Sequence, residues 1–260
     1  MRFDRSASFA VIAACAVASG AQAQTPPAKS PQAKSPQGDT YESIAKLPDW
    51  AGLWEPAGGG GGGARPTQPE LTPPYAAKAA DYRAKQQSGE IQDGPAANCV
   101  PNGMPSVMTQ PYPLEILFTP GKITIVIEAY SQWRQIFTDG RKHPEDPDLT
   151  FNGHSIGHWE GDTLVVDTVG FTTDTGLGNF AMKHSDKMHI VERMRLTEGD
   201  RLQIETTIDD KEALAKPWTS TRLYGRHRDW TLSEYVCQQN NRNYTTEDGK
   251  AGINLKHGEE

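Results

Sequence analysis

Four side chains in this chain have the types and spacing to move a proton on a small molecule. His154 and His158 stand four apart in the run from Gly153 to Asp162. Glu192 lies between Val191 and Arg193, and Arg134 follows Trp133. Imidazole titrates near neutral pH, so either histidine suits general acid or base work. A neighbouring carboxylate can orient the ring or act as base itself. An arginine fork can hold an enolate-like oxygen. Such a set serves lyase, isomerase or hydrolase chemistry without a cofactor, and it does not choose among them. Trp159, Asp167, His189 and Glu234 flank these residues and are the expected substrate contacts. A plainer reading of the same residues is a Glu192–Arg134 ion pair that staples a core.

What must position them is a set of β-hairpins, and a slip of one residue moves a whole strand to the other face. A three-residue loop at Glu198-Gly199-Asp200 pairs Leu196 with Leu202, Met194 with Ile204 and Ile190 with Ile208. That register makes one apolar face and places Glu192 on it. The tripeptide recurs at Glu160-Gly161-Asp162. The same loop there pairs His158 with Leu164 and Ile156 with Val166, turning His154 and His158 inward. A two-residue loop instead puts His154, His158 and Asp167 on one face, and the sequence leaves that register open. Pro120-Gly121 joins two further runs with Phe118 opposite Ile123. A tight turn at Ser131-Gln132 then sets Ile127 opposite Ile136 and faces Arg134 inward.

A metal centre is less well served. Four residues along a strand separate the Cα atoms of His154 and His158 by about 13 Å, an awkward span for two ligands of one ion. His184 and His189 offer a third ligand, but no metal, haem or other cofactor is expected. Other chemistries lack their signatures. There is no Gly-x-Ser-x-Gly elbow and no C-x-x-C pair. The six glycines Gly58–Gly63 follow no strand and precede no Lys-Ser/Thr, so they are not a phosphate loop. Asp139 to Pro144 reads as an exposed loop or as a rim over a pocket. Six tryptophans keep an aromatic or carbohydrate-derived ligand open.

Around these motifs the chain divides simply. Residues 1–23 have basic Arg2 and Arg5, a short apolar run and Ala21-Gln22-Ala23, the layout of a secretory signal peptide. The expected location is therefore periplasmic or secreted. The formal net charge is −7, and loss of that segment makes it one unit more negative. This disfavours nucleic acid and anionic membranes as partners, and no later stretch is apolar enough to span a bilayer. With Cys15 in the leader, Cys99 and Cys237 remain and are expected to form a disulfide. Residues 24–48 form a Pro/Lys/Ser/Gln tether. Residues 49–98 are an extension that holds the glycine run and a helix over 72–88, and Trp50, Leu53 and Trp54 dock it on the domain. Residues 99–244 alternate as an antiparallel meander, long enough for a mainly β barrel. Residues 245–260 are a polar tail.

The segments Arg134–Pro144, Gly153–Thr168, His189–Arg193 and Glu234–Cys237 together resemble a family of exported bacterial proteins without an assigned activity. The resemblance covers roughly Cys99 to Asn240 and implies membership but no chemistry. The alternation and the Trp159-Glu160-Gly161-Asp162 turn are also loosely similar to lipocalin-like barrels.

Overall fold

A computed structural model describes residues 38–57, 68–90, 99–179, 181–237, 243–245 and 251–253. The expected signal peptide, most of the tether and most of the tail lie outside the described residues. The expected β-barrel is present, with nine strands in sequential order around a closed wall. They are β1 (Leu53–Pro56), β2 (Leu114–Thr119), β3 (Lys122–Ile127), β4 (Gln132–Phe137), β5 (His154–Glu160), β6 (Thr163–Val169), β7 (His189–Thr197), β8 (Arg201–Asp209) and β9 (Trp218–His227). A short two-stranded ribbon, β10 (Asn243–Thr245) with β11 (Ala251–Ile253), stands apart from the wall.

An odd number of strands cannot close with every neighbour antiparallel, because alternating directions return to the start out of phase. One pair must run parallel. That pair is β4 and β5, joined by the long crossover 138–153 and bonded only at Ile136↔Ser155 and Phe137↔Ile156. The ninth strand comes from the extension. Residues 49–56 do more than dock, since β1 pairs with both β9 and β2 and closes the ring. Trp50 and Trp54 are buried beneath it, and the Arg226 guanidinium lies 4.5 Å from the Trp54 ring.

The hairpins show which expected registers hold. β2–β3 turns at Pro120-Gly121 with Phe118 opposite Ile123, and β7–β8 turns through three residues with Leu196 opposite Leu202, both as expected. Between β3 and β4 the turn is wider than expected, so Ile127 meets Gln132 and Ile125 meets Arg134. That shift is even, so Arg134 keeps its inward face. At Glu160-Gly161-Asp162 the loop has two residues, and His158 pairs with Val165 rather than Leu164. Gly161, at φ +66°, supplies the positive φ that a type II′ hairpin turn needs at its first central position. Strand β5 is therefore reversed relative to the three-residue reading. Ser155, Gly157 and Trp159 share the inward face with Leu164, Val166 and Thr168, while His154, Ile156 and His158 face outward.

The core is one cluster built on Ile125, Ile136, Leu164, Val166, Ile190, Met194, Leu202 and Ile204. The segment carrying Met104, Val107 and Met108 packs into it. Helix α1 (Tyr41–Ile44) precedes β1, and α2 (Pro73–Ser88) is the one long helix among the described residues. It ends at Gly89 and buries only Ala79, as its alanine-rich composition suggests. Thr72 precedes it but turns its hydroxyl to the Glu212 carbonyl, 2.6 Å away, rather than capping the helix. Cys99 and Cys237 are in bonding position, with Cα atoms 5.7 Å apart. Among the described residues no helix is long and apolar enough to cross a membrane.

Candidate functional site

Inside the barrel, Arg134 of β4 meets Glu192 of β7. Both are buried, at 2% and 0% exposure. The guanidinium donates to the carboxylate through two bonds, Nη1 to Oε1 at 3.0 Å and Nη2 to Oε2 at 2.7 Å. Nη2 also reaches Ser155 Oγ and Thr168 Oγ1, and Nη1 lies 3.4 Å from Met104 Sδ. Isolated buried ions cost several kcal/mol each to desolvate, so the pair persists through this forked geometry. Both oxygens of Glu192 are thus committed to Arg134, which corrects the expectation that Glu192 acts as a base or orients a histidine. The plainer reading, a staple across the core, describes this pair.

Beside the staple the closed wall is joined by only two residue pairs. Upstream of their two shared residue pairs, β4 and the approach to β5 diverge and leave a cleft of about 580 Å³. Trp133, 59% exposed, forms its lip. Phe137, Phe151, Pro144 and Pro147 give it apolar sides, and Gln132, Arg134, Asn152 and His154 give it polar ones. Several of these polar atoms are buried without a hydrogen-bond partner among the described residues. They are both amide atoms of Gln132, Arg134 Nε and Asn152 Oδ1. Asn152 is held in place by the bond from its Nδ2 to the Trp133 carbonyl, 3.0 Å away. An unpaired buried polar group costs about 1–3 kcal/mol, so four such atoms in residues that line one cleft are an unusual concentration. Such atoms gain most from a ligand that pairs with them.

His154 lines the same cleft from the outer face of the sheet, and there it joins a chain of side chains that crosses β5, β6 and β7. Asp167 Oδ1 lies 3.0 Å from His143 Nε2 and 2.9 Å from His189 Nε2, and His143 Nδ1 lies 2.8 Å from His154 Nδ1. An ionised carboxylate only accepts hydrogen bonds. Both Nε2 atoms facing Asp167 therefore carry hydrogen. A neutral His143 then has a bare Nδ1, which accepts from Nδ1–H of His154. Neutral His154 is left with its Nε2 bare. With Asp167 ionised and both rings neutral, the chain of bonds assigns His154 the tautomer with a free basic nitrogen, on a residue that lines the cleft. Burial holds the His154 pKa below the usual imidazole value, the Arg141 charge and any proton on His143 act the same way, and its own carbonyl opposes them. Phe137 stacks on the ring, and the Arg141 guanidinium lies over the Phe137 ring at 3.9 Å.

The expected residues thus separate. Arg134 and His154 share the cleft, and Asp167 and His189 do not line it but connect to His154 through His143 on the outer face. His158 is exposed and bonded to Glu160 Oε1 at 3.2 Å, outside the cleft, because the two-residue turn sends it outward. Trp159 packs inward against Trp50, with ring centres 5.4 Å apart, and is no part of the cleft. Glu234 is exposed beyond β9 and also lies outside it. His143, Gln132 and Asn152 were not expected. The signal for His143 was the Asp139–Pro144 segment, in which Asp139 to Lys142 are exposed and Pro144 alone lines the cleft. Gln132 and Asn152 become visible only once the parallel seam is known. Among the described residues no three His, Cys, Asp or Glu side chains are arranged to hold a metal ion.

No protein-family model matches the chain, and no curated protein is similar to it at a significant level.

Proposed function

We propose that this protein takes a small, partly aromatic molecule into the seam cleft and moves a proton on it, with His154 Nε2 as the base. The observation that carries this reading is the Asp167–His143–His154 chain, which with both rings neutral leaves His154 Nε2 bare, on a cleft whose lining residues also carry unpartnered polar atoms. Asp167 and His143 keep the ring in one tautomer and stabilise the imidazolium that forms when it accepts a proton. Gln132 Nε2 and Arg134 Nε are unpartnered donors, and Gln132 Oε1 and Asn152 Oδ1 unpartnered acceptors, buried in residues that line the cleft, and a ligand that reaches them would pair a developing oxyanion with the donors. Trp133, Phe137 and Phe151 supply flat apolar walls for a ring. This chemistry fits a cofactor-independent elimination, isomerisation or hydrolysis. We also infer a periplasmic or secreted location, which rests on the layout of residues 1–23 and the apposed Cys99 and Cys237.

The test is a thermal-shift screen against phenolics, aryl glycosides and lactones, followed by turnover assays on the stabilising class. His154→Ala should lower kcat about 10²–10⁴-fold while the protein stays folded, and His143→Ala should lower it less and shift the acid limb of the pH profile. A His154→Ala variant that turns over substrate at the wild-type rate overturns the catalytic role. A ligand that binds the cleft and is never converted leaves a non-catalytic binding protein.

A further inference from the structure

The barrel has a second opening that shares no lining residue with the seam cleft. It encloses about 170 Å³ between β9 and the segments around Thr109 and Asn179, and Gln68, Thr109, Asn179, Trp218, Ser220 and Arg222 line it. A smaller recess of about 30 Å³ continues inward past Arg222 to Met104 and Tyr224. Arg222 belongs to the inward side of β9. It pairs with Ile204, and the alternate residues on its strand, Ser220 and Tyr224, pair with Thr206 and Leu202. Its neighbours Ile204, Leu202 and Tyr224 are buried.

An arginine on that face should be matched by a carboxylate, as Arg134 is. Yet Arg222 makes no ion pair and no hydrogen bond with any described residue. The inward carboxylate nearest in kind, Glu192, has both oxygens bound to Arg134. Among the described residues no Asp or Glu lines the opening, although the chain has 33 acidic residues against 26 basic ones. The amides of Gln68 and Asn179 and the hydroxyl of Ser220 there are neutral and can donate hydrogen bonds, while the Thr109 hydroxyl donates to the Ser106 carbonyl, 2.8 Å away.

We infer that this opening is a second binding site, for a small organic monoanion whose carboxylate pairs with Arg222 and whose apolar part lies against Trp218, Leu177 and Met182. One guanidinium matches a single negative charge with a planar fork, the geometry of a carboxylate. A dianionic phosphate in the same place leaves one charge uncompensated. The cavity is well below the several hundred Å³ that hold drug-sized ligands, so the occupant has one ring or a short branched chain. The site does not depend on proton transfer at His154, and its occupancy leaves the seam cleft accessible.

The experiment is calorimetric titration of the full chain with benzoate, with benzamide as the uncharged shape match and inorganic phosphate as competitor. Benzoate should bind at least about tenfold more tightly than benzamide, in keeping with the strength of charge-assisted pairing. Arg222→Gln should erase that preference without moving the melting temperature, since the side chain has no bonded partner to lose. Arg222→Lys should retain part of it, and His154→Ala should leave it intact. Equal binding of benzoate and benzamide, no saturable binding of benzoate up to about 10 mM, or unchanged benzoate affinity in a folded Arg222→Gln variant each overturns the site. Displacement of benzoate by equimolar phosphate overturns its assignment to carboxylates.

Discussion

Replacing Arg134 by Met removes both bonds to Glu192 and leaves a carboxylate in the centre of a closed barrel. The neighbours do not compound the loss, because Ser155 Oγ and Thr168 Oγ1 lie 2.9 Å apart and keep each other satisfied. The cost is then that of an uncompensated buried charge, about 3–5 kcal/mol. Glu192→Leu alone strands the guanidinium and should cost a similar amount. The double variant Arg134→Met/Glu192→Leu removes both charges and fills the space with apolar atoms of comparable size. It should lie within about 2 kcal/mol of the wild type, since exchanging a buried pair for hydrophobic residues is often neutral. Urea unfolding of all four proteins gives the coupling energy directly, and it should exceed about 2 kcal/mol. If the single variants each cost less than about 1 kcal/mol, or if their effects add, Arg134 and Glu192 are not a mutually dependent buried pair. The staple is then wrong.

Three further outcomes follow from the same coordinates. His154 and His184 are both held below the usual imidazole pKa, each chiefly by burial, so the neutral ring is the form the fold favours. Stability should be fully present above about pH 6.5 and be lost as pH falls below it, and urea midpoints for His184→Asn should show a flatter acid limb than the wild type. Gly153 has φ +68°, and a Cβ there meets Phe171, Thr168 and the Val169 carbonyl at 2.8 Å. Gly153→Ala should therefore destabilise by about 1–3 kcal/mol on chemical denaturation and disturb the cleft that begins at this residue. His158→Ala should change stability by no more than about 0.5 kcal/mol and leave turnover untouched, because the ring is exposed on the outer face. A large loss of activity in that variant contradicts the two-residue turn.

Local pattern alone determined a good part of this protein. The apolar alternation of β7 and β8 sufficed to put Glu192 inside, since only a three-residue loop gives those strands one clean face. Arg134 came out inward even with the wrong partner opposite it, because the register error was four residues and parity survived. The helix over residues 73–88 was legible from its prolines, its alanines and Gly89. The tertiary structure alone decided the rest. Glu-Gly-Asp occurs twice and closes two different turns, so the tripeptide cannot set the register. At β5 the choice falls to distant packing, with Gly157 fitted against Ile136 at a spacing that a Cβ would break and Trp159 seated on Trp50. That choice turned His154 and His158 to the outside, where one joins His143 and the other meets only Glu160. The cleft itself depends on a count. A short strand from Leu53 to Pro56, far from its partners in sequence, makes nine strands, and nine can close only with a parallel seam. No window of sequence contains that condition, because it belongs to the closed ring as a whole.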